Sequence, residues 1–185
     1  MSTDSPTLAT TLPTGTWTID PIHSSVEFAV KHVGIATVKG RFNEFEGKLE
    51  IGPHGAVASG TVEVQSVDTG EKQRDDHLRS ADFFEVDAYP RIEFRSTAIT
   101  PTGDDELEID GEITIHGVTR PIKLTAEVEG TETDHQGQER VGLSAKAQIS
   151  RGDFGMKFNA ALGSGNLVVS DKVKIQVEVS GIKVG

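Results

Sequence analysis

The amino-acid sequence predicts an all-β fold in which about eight antiparallel strands close into a barrel. The first observation is period two. Apolar residues recur at every second position in segment after segment, giving each strand one dry and one wet face. The second is punctuation, because Gly-, Pro- and His-containing clusters separate the runs. The third is length: several runs span about 8–12 residues against the usual ~5–6, and long tilted strands favour a barrel or a strongly curved sheet. A two-sheet sandwich is the other way to hide the edges. With 185 residues, the chain has the size of one domain and can bury a core without cross-links.

Residues 1–14 read as a disordered polar lead, with the domain running from 15 to 185. The lead has neither the basic start nor the apolar run of a secretory signal, so a cytoplasmic location is expected. In the first long strand Val26, Phe28 and Val30 alternate with Glu27, Ala29 and Lys31. Val38, Gly40 and Phe42 keep one phase, and Phe45, Gly47, Leu49 and Ile51 keep the other. That slip predicts a bulge or bend near Asn43–Glu44. Gly60, Val62 and Val64 form the next strand.

The segment around residues 71–84 breaks the pattern. It is charged and rich in helix formers, and it predicts a short helical segment over one barrel end. Gln73, His77, Ser80 and Phe84 share its predicted inner face; Arg74, Asp75, Asp76 and Arg79 read as a solvated, salt-bridged face. Strand periodicity then resumes through Ile92 and Phe94, Leu107 to Ile115, Ile122 to Val128, Val141 to Ile149 and Val173 to Val179. The stretch 151–171, with Phe154, Met156 and Phe158, is too long for a tight hairpin and reads as a rim loop.

Composition excludes several classes. The charge balance of 18 Lys+Arg against 29 Asp+Glu gives −11, which repels phosphate backbones and argues against nucleic acid as a partner. Without cysteine there are no disulfides, thiolate nucleophiles or iron–sulfur clusters. No run approaches the ~18 apolar residues of a spanning helix, so stable membrane insertion is not expected. The six histidines show no metal-ligand spacing, so neither a metal nor another cofactor is expected. Gly163-Ser164-Gly165 lacks the outer glycine of a nucleophile elbow and reads as a flexible turn. His23, after Asp20-Pro21-Ile22 and before Ser24-Ser25, reads as part of an Asx or Ser turn. Small residues on the dry faces (Gly40, Gly47, Gly60, Ala98, Gly111, Ala126, Ala145 and Ala147, with Ser96) suggest unfilled interior volume, unless they lie at barrel corners or opposite large ones.

Five ordered motifs carry a resemblance that covers nearly the whole chain. They are Trp17-Thr18-Ile19-Asp20-Pro21-Ile22-His23-Ser24-Ser25-Val26-Glu27-Phe28; His32-Val33-Gly34 with Gly40-Arg41-Phe42; Arg74 to Phe84 with Tyr89-Pro90-Arg91-Ile92-Glu93-Phe94 after it; Gly111 to Pro121; and Ile149-Ser150-Arg151-Gly152-Asp153-Phe154-Gly155. In these the sequence resembles the YceI-like family of polyisoprenoid-binding, lipocalin-like proteins. The resemblance implies an extended eight-stranded antiparallel barrel with a lipocalin-like channel that holds long isoprenoid or related lipid tails. Some members carry a signal peptide and are periplasmic; the lead of this chain departs from them.

The expected function is therefore non-catalytic binding, storage or transport of a long-chain lipid: a polyprenyl diphosphate, a quinone precursor or a fatty amide. Burying about 20 methylenes is worth ~16 kcal/mol gross, so a tail needs few polar contacts. By parity the channel wall comprises Phe28, Val30, Phe42, Val62, Phe94, Ile113, Leu124, Leu143, Ile175 and Val177. His32 shares their parity, as a core histidine or a ligand-facing one. Arg74, His77 and Arg79 are candidates for the head group at the mouth, and Phe154, Met156 and Phe158 for the entrance. Two alternatives stay open: an interaction or stress-response module with a self-filled barrel, or an enzyme using His32, His77 or His116 beside a carboxylate. Pairing of two barrels through outer apolar positions such as Val118 and Val168 is also left open.

Overall fold

The computed structural model describes residues 12–159 and 168–185. The strands are β1 (Gly15–Ile19), β2 (Ser25–His32), β3 (Ala36–Phe42), β4 (Phe45–Gly52), β5 (Gly55–Glu63) and the two-residue β6 (Val67–Asp68). After the helix α1 (Lys72–Arg79) come β7 (Arg91–Pro101), β8 (Glu106–Ile115), β9 (Val118–Thr133), β10 (Glu139–Ser150) and β11 (Val169–Lys183). All pairings are antiparallel. The ring runs β1-β4-β5-β7-β8-β9-β10-β11 and returns to β1, which closes an eight-stranded barrel. Closure removes the edges that a curved sheet would otherwise expose.

The expected bend near Asn43–Glu44 is a change of partner. Before it, β3 pairs with β2, Val26 opposite Phe42; after it, β4 pairs with β1, Thr18 opposite Lys48. The chain bends in the same way between β1 and β2, where Asp20 N–H donates to Ser180 O on β11. As a result β2, β3 and β6 form a flap that continues from β11 beyond the closed ring.

Apolar clusters fill both ends. At the end carrying the β4–β5, β7–β8 and β9–β10 turns, Trp17, Ile51, Leu107, Val128 and Val141 surround Leu12. Leu12 is only 1% exposed, although its sequence context placed it in the polar lead; a single leucine gains about 2 kcal/mol by entering the barrel end. Residues 1–11 of that lead lie outside the described residues. At the other end, Ile113, Ile115 and Ile122 pack with Phe154 and Met156, and Phe42, Val64 and Val67 pack under α1. Val118, considered for an outer surface, packs on this inner cluster.

Helix α1 is shorter than the segment predicted, and it buries a different face. Glu71 caps it, accepting from the N–H groups of Gln73 and Arg74. Gln73 and His77 are exposed, whereas Asp75 is buried and accepts from Thr69 N–H and Oγ1–H. Polar fastening to the preceding turn, rather than an apolar stripe, orients the helix.

Candidate functional site

An interior cavity of about 270 Å³ lies between the two end clusters. Of the wall residues expected from parity, Phe28, Phe42, Val62, Phe94, Ile113, Leu124, Leu143, Ile175 and Val177 all line it. Val30 and His32 do not: they sit on the flap beyond the ring, and His32 is exposed. Alternation along β2 is intact, but the cavity reaches only the nearer flap positions Val26, Phe28 and Phe42 and stops short of Val30. Ile19, Phe45, Leu49 and Ile109 also line the cavity; Phe45, Leu49 and Ile109 stood on dry parity, whereas β1 was too short for periodicity to show.

The inward glycines divide into two kinds. A Cβ at Gly40 would lie 2.3 Å from the Phe28 ring, and one at Gly111 would lie 2.7 Å from the Phe94 ring. Neighbouring aromatics thus cover these two positions. Gly47 and Gly60 face each other across β4 and β5 with no ring over them. The inward Ser96 is satisfied, its Oγ accepting from Ala58 N–H at 2.8 Å.

The residues expected at the mouth do other work. Arg74 donates through Nε to Thr69 Oγ1 and through Nη2 to Thr69 O. Arg79 donates to Gln65 O and Val67 O and pairs with Asp76. Both guanidinium groups fasten α1 to the chain before it, and neither they nor His77 line the cavity. His77 lies 2.9 Å from Asp82 and packs edge-on to Phe83 and Phe158.

The expected entrance is closed. Phe154 and Met156 are buried in the end cluster, while Phe158 is partly exposed beside His77. Arg151, 5% exposed, holds this segment: it donates to Ser170 O, Met156 O, Phe158 O and Val169 O. Its planar fork of donors suits that task. The glycine–serine turn at 163–165 lies outside the described residues.

Two polar clusters border the barrel. His116 Nδ1 is 2.9 Å from Phe154 O, its Nε2 is 3.4 Å from Glu85 Oε2, and its ring packs on Tyr89. Gly117 follows with φ +73, and a Cβ there would strike Tyr89 at 2.5 Å. At the β1–β2 bend, Asp20 Oδ1 accepts from Ile22 N–H in the expected Asx turn, and Oδ2 meets His23 Nδ1 at 2.7 Å and Arg140 Nη1 at 2.9 Å. Arg140 also donates to Asp134, and both carboxyl groups are held down to about 2, foremost by Arg140. Nothing local in the sequence joined Arg140 to Asp20. Among the described residues no group of three or more His, Asp or Glu side chains is placed to hold a metal ion.

A family model of the YceI-like domain matches residues 17–181. This chain belongs to the YceI-like family. A UPF0312 protein of Vibrio cholerae is 34% identical over 164 residues, covering 87% of this chain and 82% of its own length. Among solved YceI-like structures, the YCEI protein of Campylobacter jejuni is 28% identical with a TM-score of 0.72, covering 84% of this chain and 90% of its own. A polyisoprenoid binding domain from Saccharophagus degradans shares the fold at a TM-score of 0.71 and 16% identity, covering 91% and 98% of the two chains. The YceI-like motifs of this sequence serve both lining and closure: Trp17, Ile19, Phe28, Phe42, Phe94 and Ile113 line the cavity, while their polar residues fasten its ends. Asp20 fixes a bend, Arg74 and Arg79 fasten the helix, and Arg151 fastens the Phe154 plug.

Proposed function

We propose that this protein is a non-catalytic binder and carrier of a lipid whose apolar tail, isoprenoid or acyl, occupies the barrel cavity. The observation that carries the reading is the cavity itself: about 270 Å³ walled by Phe, Leu, Ile and Val side chains. An apolar cavity of about 150 Å³ stays dry and binds benzene. Nearly twice that volume holds about a dozen carbons on the same scale. Twelve buried methylenes contribute about 10 kcal/mol gross, and with an association cost of about 4 kcal/mol, the low end of its range, an affinity of about −6 kcal/mol, tens of micromolar, is within reach. The remainder of a 20-carbon tail would extend outside the cavity. The unfilled interior also speaks against a self-filled interaction module.

Isoprenoids are the first tails to test, because the Saccharophagus degradans neighbour is described as a polyisoprenoid binding domain. A cytoplasmic site of action belongs to the same reading and is checked by fractionating the native host. The deciding experiment is mass spectrometry of an organic extract of protein purified from that host. A stoichiometric isoprenoid or acyl lipid supports the carrier reading; a repeatedly empty extract removes it.

A further inference from the structure

We infer that the outer face of the β2–β3 flap, continued over the adjoining parts of β11 and β10, docks this protein on an anionic lipid bilayer. The face follows from parity. Phe28 on β2, Phe42 on β3, Ile175 on β11 and Ala145 on β10 line the cavity, so the residues that alternate with them point outward. Those outward positions hold Lys31 on β2, Lys39 and Arg41 on β3, Lys172 and Lys174 on β11, and Lys146 on β10. The ladders set them side by side. Lys39 and Lys174 both stand opposite Ala29, while Gln176 stands opposite both Glu27 and Lys146. Arg41 stands opposite Glu27 on the other edge of β2.

These six cations are all exposed, and they are a third of the 18 Lys+Arg in a chain of net charge −11. Among the same outward positions the one acid is Glu27. At the margins Asp68 reaches Arg41 at 4.0 Å, and Asp171 accepts from Gly152 N–H. Lys39, Lys146, Lys172 and Lys174 have no ion-pair partner among the described residues. The opposite wall is built the other way. There Lys48 pairs with Glu50, Arg91 with Glu63 and Lys123 with Glu108, and outward Glu46, Glu93 and Glu112 stand among them. The barrel thus has a basic side and an acidic side. Packed sheets stand ~10 Å apart, and the Debye length at physiological salt is about 8 Å. A surface touching the flap therefore meets the lysines rather than the net charge.

The tip of the flap adds an apolar contact. Ile35 is 81% exposed at the β2–β3 turn. Val33 before it holds φ 49, a left-handed conformation that a β-branched side chain resists and glycine adopts freely. Val33 N–H donates to Val168 O, and Asn159 bonds to the next residue, Val169. Phe158, 37% exposed, is thereby brought to the same end of the barrel. A tight turn needs neither an exposed isoleucine nor a strained valine; insertion at a lipid interface uses both.

The same chemistry selects a bilayer over a nucleic acid. A single-strand site interleaves its cations with aromatic rings on which bases stack. No aromatic residue occupies the outward positions of this face. Clustered lysines beside an apolar tip are the combination that holds a peripheral protein on an anionic leaflet. Such docking is reversible and needs no spanning segment.

Vesicle sedimentation tests the inference with two preparations, phosphatidylcholine alone and equal parts phosphatidylcholine and phosphatidylglycerol. Wild-type protein should partition onto the mixed vesicles about tenfold or more above the neutral ones, and added salt should release it. Lys39→Gln with Lys174→Gln should weaken that partitioning about tenfold or more, the effect of two lysines at an anionic surface. Arg91→Gln with Lys123→Gln removes the same charge from the opposite wall and should change it less than about twofold. Ile35→Ser should weaken it about threefold or more. Failure of the wild type to sediment, equal partitioning onto both preparations, or an equal loss in the two double variants overturns the docking face. Unchanged partitioning in Ile35→Ser overturns the role of the tip. Protein that ignores both vesicles but binds a single-stranded oligonucleotide through Lys39 and Lys174 overturns the choice of a bilayer. All of these readouts concern the outer surface, so their failure is distinct from failure of the carrier reading, which the lipid extract decides.

Discussion

Arg140 holds Asp20 across 120 positions of sequence, its Nη1 donating to Asp20 Oδ2 at 2.9 Å while its Nε donates to Asp134 Oδ2 at 2.7 Å. One guanidinium thereby ties the β1–β2 bend to the β9–β10 turn. Asp20 is 8% exposed; a carboxylate at that depth needs its partner, because an unpaired buried charge is strongly destabilising.

The same cluster makes stability depend on acid. Hydrogen bonds from Arg140 first, then from His23 to Asp20 and from Gln138 N–H to Asp134, hold both carboxyl groups down to about 2. Their unfolded values are about 3.9, so the folded state binds fewer protons between the two. The stabilisation is complete above about pH 4 and is lost as the pH falls toward 2. Arg140→Gln should lower Tm by about 5 °C or more near neutrality, and the gap to wild type should shrink below about pH 4. Melting curves at several pH values check this; a gap that does not change with pH contradicts it.

The wall of the cavity was legible because a strand's inward parity is a local property. Phe28, Phe94 and Val177 needed only their neighbours in sequence to be placed. The phase slip near Asn43–Glu44 was legible for the same reason, but which strands part there depends on partners far along the chain. The arginines illustrate the opposite case. Arg74 and Arg79 read as head-group holders because guanidinium groups are cations, yet each donates to backbone carbonyls that the fold brings to it. Leu12 failed for a third reason: one apolar residue in a polar run carries no period, and its burial is decided by the open barrel end it meets.

Arg151 shows what such an arginine is worth. Its four carbonyl acceptors are Met156 O and Phe158 O, just after Phe154, and Val169 O and Ser170 O at the start of β11. Arg151→Leu strips these acceptors of their donor, at about 1–3 kcal/mol for each that water cannot reach. Arg151→Lys keeps the charge but not the fork, and should fall between. Urea unfolding midpoints should rank wild type above Lys above Leu. A leucine variant as stable as wild type would show that the Phe154 plug is held by packing alone.

Leu12 offers a way to lengthen the cavity. It is enclosed by Trp17, Ile51, Leu107 and Val141. Leu12→Ala should cost about 2–5 kcal/mol, or roughly 5–15 °C in Tm for a chain of this size. The vacated space adjoins the cavity, which Leu12 itself lines. Tails longer than farnesol should regain part of the lost stability by filling it, since a ligand that binds only the folded state raises Tm. Tm shifts measured with geranylgeraniol and with farnesol test this, and a larger shift with the shorter alcohol would count against a shared space.

Ala145 tests the opposite change. It lies on β10 between Ala126 and Val177, and all three line the cavity. Ala145→Phe places a ring in the middle of the wall, where it removes room for about half a dozen carbons of ligand, the size of one benzene. The ring enters empty space rather than packed atoms, so overpacking strain is avoided and the fold should keep or gain stability. Each methylene excluded forfeits about 0.8 kcal/mol, and four or more excluded would weaken farnesol binding at least a hundredfold. Isothermal titration of wild type and variant measures the loss, with Tm as the control for folding. Weak binding with an undiminished Tm places the tail in the barrel. Unchanged affinity would mean that farnesol is held on some other surface.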